Sequence, residues 1–314
     1  MALNPSEQQF FEQLLPSRSD QSSNYLNIEA LRNNADFFLS YAGLEADIPK
    51  LDTTVIVRDG YAVPVRIYNH HLENSPTLIF YPGCAYVLDL FEVNAIAASR
   101  IANYADIKVI VVRYRLAPEH PLPQPIYDSY DVTKYFYASH QKWRIDPDHF
   151  FIGGLSSGAH CCAIISQLSV NDPDLTIKQQ VLLNGIFDLT QSSLEFLEQE
   201  QLDQMLLRDN ITLIMKHWGI SQVDYAKSFY SPLFNNDIDN IPSTTILVGE
   251  HDGFRSDSEA YYLKLKSHSA HVEKIILEGQ THNTIVMRQA LKDGKDPAHV
   301  IGDVLLNRMK RALK

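Results

Sequence analysis

An apolar run ending at Ile152 breaks into Gly153-Gly154-Leu155-Ser156-Ser157-Gly158-Ala159, and a helix-compatible stretch to Leu168 follows at once. A strand that turns directly into a helix leaves almost no room at the bend. Gly154, Ser156 and Gly158 therefore read as a Gly-x-Ser-x-Gly corner whose small neighbours leave the serine hydroxyl clear above a sheet edge. The same five-residue pattern also occurs in ordinary loops, so its meaning depends on the rest of the chain.

The rest of the chain supplies the sheet. Thr53–Val57 and Val63–Tyr68, joined around Asp59-Gly60, read as an antiparallel hairpin. Further β-branched or apolar runs lie at Thr77–Tyr81, Lys108–Arg113, His149–Gly153, Gln179–Asn184, Thr244–Gly249 and Val272–Leu277. Helical periodicity fills the intervals at Phe91–Tyr104, Tyr127–His140, Ala159–Leu168, Ser256–Lys266 and Ala298–Leu313. Such alternation predicts an α/β protein with a mostly parallel central sheet of about eight strands and helices on both faces. Ligands of such sheets bind beyond the carboxyl ends of the strands. Two segments stand outside the alternation. Residues 1–45 resemble two or three helices with apolar stripes at Phe10, Phe11, Leu14 and Leu15 and at Leu31, Phe37, Phe38 and Leu39. Residues 192–229 form a helical insertion rich in Leu and Met, including Leu202, Met205, Leu206, Leu213, Ile214 and Met215. Both fit either core helices or a shared cap.

Composition narrows the function classes. With 45% hydrophobic and 21% charged residues, the 314-residue chain is expected to be globular rather than disordered. Its net charge of -11 and lack of any dense Lys/Arg block speak against a nucleic-acid partner. Met1–Asp20 is polar where a signal peptide needs an apolar core, and no run is long enough to span a bilayer. Cys84, Cys161 and Cys162 form neither a disulfide framework nor a metal-ligand spacing. A cytoplasmic protein with reduced thiols, no metal and no stable membrane insertion is the expectation.

A serine hydroxyl at neutral pH needs a base, nearly always a histidine oriented by a carboxylate. The Gly-x-Ser-x-Gly corner resembles that of the α/β hydrolases, where the chain order is serine, acid, histidine, with the partners on loops after later strands. Glu250-His251-Asp252 follows Thr244–Gly249, and Glu278-Gly279-Gln280-Thr281-His282 follows Val272–Leu277. Asp252 and His282 are thus the expected partners of Ser156, with Glu250 and Asp257 as rival carboxylates and His149, His160 and His251 as rival histidines. Charge developing on a tetrahedral intermediate requires backbone N–H donors. One falls on Ser157, the residue after the nucleophile, and the others on the loop Tyr81-Pro82-Gly83-Cys84-Ala85-Tyr86.

The run Val111-Val112-Arg113-Tyr114-Arg115-Leu116-Ala117-Pro118-Glu119-His120-Pro121-Leu122-Pro123 resembles the signature of the hormone-sensitive-lipase-like α/β hydrolases, and the similarity extends from about Thr53 to the C-terminus. The resemblance implies an α/β-hydrolase fold, with a catalytic domain at 46–314 and a cap built from helices within 1–45 and the insertion at 192–229. It matches the family's acid loop with Asp252-Gly253-Phe254-Arg255-Ser256 and its histidine motif with His282-Asn283-Thr284. The family's His-Gly-Gly-Gly loop becomes Tyr81-Pro82-Gly83-Cys84, which assigns oxyanion donors to Gly83 and Cys84. Its Gly-Asp-Ser-Ala-Gly corner becomes Gly154-Leu155-Ser156-Ser157-Gly158. Tyr81, Tyr86 and Leu155 are then candidate substrate contacts.

The implied activity is a cofactor-free serine carboxylic-ester hydrolase acting on small-molecule esters of short-to-medium acyl length. Alternatives are a catalytically silent small-molecule-binding homologue and an amidase or arylformamidase on the same fold. The cap helices and the segment Val300–Leu306 are also compatible with a homodimer surface.

Overall fold

The computed structural model of the chain describes residues 32, 35–192, 208–268, 271–283, 285, 291 and 294–312. Eight strands make one sheet: β1 (Lys50–Ile56), β2 (Ala62–Tyr68), β3 (Ser75–Tyr81), β4 (Lys108–Val112), β5 (Ile145–Leu155), β6 (Gln179–Leu183), β7 (Ser243–Gly249) and β8 (Val272–Leu277). Their order is β1-β2-β4-β3-β5-β6-β7-β8. β1 and β2 pair antiparallel as a hairpin, β2 joins β4 antiparallel (Val65 opposite Val112), and the remaining pairings are parallel.

The described helices are α1 (Ala35–Tyr41), α2 (Phe91–Ala105), α3 (Gln124–Ala138), α4 (His140–Trp143), α5 (Ser157–Val170), α6 (Arg208–Lys216), α7 (Arg255–Ser267) and α8 (Pro297–Ala312). Successive side chains on a strand face opposite ways, so each buried strand feeds two cores. Leu78, Phe80, Val109, Val111 and Phe151 join α2 and α8 on one face, whereas Ile79, Ile110, Val112, Phe150 and Ile152 join α3, α5 and α7 on the other. This two-sided burial explains why the central strands read as continuous apolar runs rather than alternating ones. Lys108, the charged exception in β4, is buried with its ammonium donating to the carbonyls of Leu72, Trp143 and Arg144.

All eight strands fall where the sequence places them, and the ends differ in instructive ways. β5 starts at Ile145 rather than His149 because the chain pairs with Ser75 across an irregularity before resuming regular register at Phe150. α2 stops where Asp106 takes a left-handed conformation (φ 51°) and returns its N–H to the Ala102 carbonyl. Asp and Asn tolerate that region better than most side chains. Of the N-terminal stripe, Phe37 and Phe38 pack on the core but Leu39 is exposed. Phe10, Phe11, Leu14, Leu15 and Leu31, like Leu202, Met205 and Leu206 of the insertion, lie outside the described residues. Within the insertion, Ile211 and Met215 of α6 are buried together with Trp218. Among the described residues no helix is long and apolar enough to cross a membrane.

Candidate active site

The chain leaves β3 toward β4 on one side of the sheet, whereas the strands after β5 run out on the other. The loop following β3 and the turn following β5 therefore diverge at the switch point of the sheet, and a crevice opens between them. Ser156 sits there, immediately after β5, with φ 55° and ψ −119°. A non-glycine residue held in such a region carries about 1–3 kcal/mol of backbone strain, which its surroundings must hold in place.

Two glycines hold it. A Cβ on Gly154 would lie 2.4 Å from the carbonyl of Gly158, and a Cβ on Gly158 would lie 2.0 Å from the Tyr81 carbonyl at the end of β3. The corner closes only because both positions lack a side chain. Backbone bonds from Ser156 N–H to the Leu183 carbonyl and from His160 N–H to the Ser156 carbonyl pin it to β6 and start α5.

Three loops bring the chemistry together. Ser156 Oγ lies 2.8 Å from His282 Nε2, and His282 Nδ1 lies 3.0 and 3.2 Å from the two carboxylate oxygens of Asp252. Ser156, Asp252 and His282 are only 8%, 1% and 6% exposed. The Asp252 carboxylate also accepts the Phe254 N–H at 2.7 Å, and the Phe254 ring meets the imidazole edge to face. A carboxylate on Nδ1 fixes the tautomer that leaves Nε2 free to accept the serine proton.

Four of the five rival residues hydrogen-bond elsewhere. Glu250 accepts the Gly279 N–H, and Asp257 accepts the N–H groups of Phe187 and Asp188. His149 pairs with Asp146, and His160 lies between the Tyr86 hydroxyl and the Tyr230 carbonyl. His251 lies 3.8 Å from the Glu250 carboxylate.

Residues with no motif of their own position the loops. Buried Asn184, at the end of β6, accepts the Gly249 N–H and donates to the carbonyls of Thr281 and His282. One amide thus ties the strand before Asp252 to the loop bearing His282. Asn94 on α2 grips Gly83 twice, accepting its N–H at 2.9 Å and donating to its carbonyl at 3.0 Å. The only sequence signal for either is a polar residue in an otherwise apolar stretch.

The structure gives the other expected site residues partners within the protein. Gly83's N–H is directed onto Asn94 and so is not offered to the crevice. Cys84's N–H donates to the Ser157 hydroxyl at 3.0 Å. The expected substrate contacts are all core side chains. Tyr81 is fully buried with its hydroxyl on Thr133, Tyr86 is fully buried against His160 and Trp218, and Leu155 packs against Gly83 beneath the corner. Tyr81 and Leu155 follow the pleat into the two cores, while Ala85 and Tyr86 take left-handed angles (φ 51° and 59°) that turn the tyrosine inward. Cys84 likewise faces the interior, where its thiol meets the Tyr114 hydroxyl at 3.0 Å and burial pushes its pKa up to about 11.

Comparison with known proteins places the chain in a family. Residues 78–286 match the family described as alpha/beta hydrolase fold. The arylesterase of Saccharolobus solfataricus is 23% identical over 284 residues, covering 90% of this chain and 92% of that protein. Carboxylesterase NlhH of Mycobacterium tuberculosis is 26% identical, covering 71% of this chain and 72% of its own length. The structure of a hyperthermophilic esterase from the archaeon Pyrobaculum calidifontis superposes with a TM-score of 0.87 at 23% identity, covering 98% of this chain and 99% of the other. The chain belongs to the alpha/beta hydrolase fold family, in its hormone-sensitive-lipase-like branch, and is a hydrolase.

Proposed function

We propose that the protein is a serine carboxylic-ester hydrolase working through Ser156, His282 and Asp252. The observation that carries this reading is the unbroken hydrogen-bonded line from Ser156 Oγ through the imidazole to the Asp252 carboxylate. Ser156 attacks the ester carbonyl as His282 Nε2 takes its proton, and the same imidazole then protonates the departing alcohol. Asp252 stabilises the charged imidazolium and holds its orientation. Water, deprotonated by His282, then resolves the acyl-enzyme. The Ser157 N–H, at the first turn of α5, serves as an oxyanion donor, with the Cys84 N–H as its partner across the crevice.

The carboxylic-ester class is supported by the similarity to an arylesterase and a carboxylesterase. Short-to-medium acyl esters suit a crevice covered by a helical cap, which we assign to segments within 1–45 and 192–229 beside a catalytic body at 46–314. The three buried, unbridged cysteines support a cytoplasmic, reducing setting.

The test is hydrolysis of p-nitrophenyl esters of increasing acyl length by the intact protein and by Ser156→Ala, with fluorophosphonate labelling alongside. The reading expects turnover and labelling that both vanish in the variant. A folded protein that neither turns over any ester nor labels at Ser156 would overturn it.

A further inference from the structure

Behind the crevice lies a buried relay. The Tyr114 hydroxyl donates to the Pro82 carbonyl, so its oxygen accepts from the Cys84 thiol at 3.0 Å. The Cys84 N–H donates to Ser157 Oγ at 3.0 Å. The Ser157 proton finds the Cys84 sulfur, 3.9 Å away, which is a weak acceptor. Ser157 is fully buried, and its Oγ is three covalent bonds from its own backbone nitrogen. One oxygen therefore accepts the Cys84 N–H and is carried by Ser157, the residues whose N–H groups are the two donors assigned above to the oxyanion.

We propose that the Ser157 hydroxyl is a built-in occupant of the oxyanion hole, which the substrate oxygen displaces on the way to the tetrahedral intermediate. The inference rests on the reading of Ser156 as nucleophile. A buried N–H without a partner is unfavourable, so the hydroxyl stabilises the free protein. In the ground state a neutral ester carbonyl competes with a neutral hydroxyl on nearly equal terms. Once charge develops, the oxyanion makes a hydrogen bond roughly twice as strong, and the hydroxyl turns to another staggered rotamer. The side chain at 157 therefore holds back the transition state by the hydrogen bond that must be broken, while substrate binding is almost unaffected. Alanine in its place removes the competitor and exposes an unpaired N–H.

The experiment compares the intact protein with Ser157→Ala and Ser157→Gly. It reads kcat and KM on p-nitrophenyl acetate, inhibition by a trifluoromethyl ketone (whose serine adduct carries the oxyanion), melting temperature, and fluorophosphonate labelling of Ser156. The expected result is a kcat raised about three- to tenfold, the scale of one net hydrogen bond. KM should stay within about twofold, the inhibitor should tighten by the same factor as kcat, and the melting temperature should fall. A purely structural Ser157 would lower the melting temperature without raising kcat. Unchanged or reduced kcat in both variants, with Ser156 still labelling, would overturn the occupant and leave the nucleophile intact. Loss of labelling in the unmodified protein would instead overturn the esterase reading, and the occupant with it.

Discussion

The Tyr86 hydroxyl donates to Nδ1 of His160 across 2.7 Å, while His160 Nε2 donates to the Tyr230 carbonyl, also at 2.7 Å. One neutral imidazole thereby joins the loop after β3, the helix after Ser156 and the segment leading out of the insertion. The Trp218 indole N–H adds a bond to the Ala85 carbonyl at 2.7 Å. This arrangement needs His160 uncharged, since a proton on Nδ1 would face the hydroxyl donor. Burial lowers its pKa from 6.5 to about 4.

The sign of the resulting pH dependence follows from linkage. Above pH 6.5 the histidine is neutral both folded and unfolded, and its full contribution is present. As pH falls from 6.5 toward 4, the unfolded chain takes up the proton first, and stability drops by up to about 1.4 kcal/mol per pH unit from this group. Urea unfolding between pH 7 and 4 should show a steeper loss for the intact protein than for His160→Gln, whatever the variant's own stability. Parallel curves would remove His160 as the source.

Neutralising the acid should be severe. Asp252→Asn preserves shape but presents an amide to Nδ1, favouring the wrong tautomer. We expect kcat to fall by about four orders of magnitude with the melting temperature little changed. Steady-state kinetics and a thermal melt check both halves of this expectation.

Asn184 should matter although it touches no reacting atom. Asn184→Leu leaves the Gly249 N–H and the His282 carbonyl without their bonds. The unfavourable contribution should be about 1–3 kcal/mol for each group left unsatisfied. Release of the His282 loop should lower kcat more than it changes KM, and denaturant unfolding beside kinetics tests both.

Gly158→Ala is the sharpest test of the corner. Its Cβ would stand 2.0 Å from the Tyr81 carbonyl, a backbone atom with little freedom to give way. Overpacking of this kind destabilises by about 1–3 kcal/mol or more. The melting temperature and fluorophosphonate labelling of Ser156 should fall together. A variant that labels at the normal rate would contradict the contact.

The thiols should be silent. Burial raises Cys84 to about 11 and Cys161 to about 12, and raises Cys162 well above the usual thiol range. Ellman's reagent at pH 8 should find no reactive thiol in the native protein and three after denaturation.

The strands were legible because burial on both faces writes long β-branched runs into the chain, and Ser156, Asp252 and His282 stood out because each lies on the turn or loop that follows such a run. What lay hidden was direction. The pleat decides that Leu155 points into one core and Tyr81 into the other, and left-handed angles at Ala85 and Tyr86 decide that the tyrosine turns inward. None of these is encoded by residue type alone. Asn94 and Asn184 escaped for a related reason, since their partners are backbone groups distant in sequence. Gly83 shows the limit of motif matching: the position is right, yet its N–H belongs to Asn94.

The contact between Gly158 and the Tyr81 carbonyl has a wider consequence. The end of β3 and the start of α5 touch main chain to main chain, so the spacing between the attacking oxygen and the Cys84 loop is set where no rotamer can relax it. Side chains lining the crevice can therefore change without moving this main-chain contact, and with it the corner that carries Ser156.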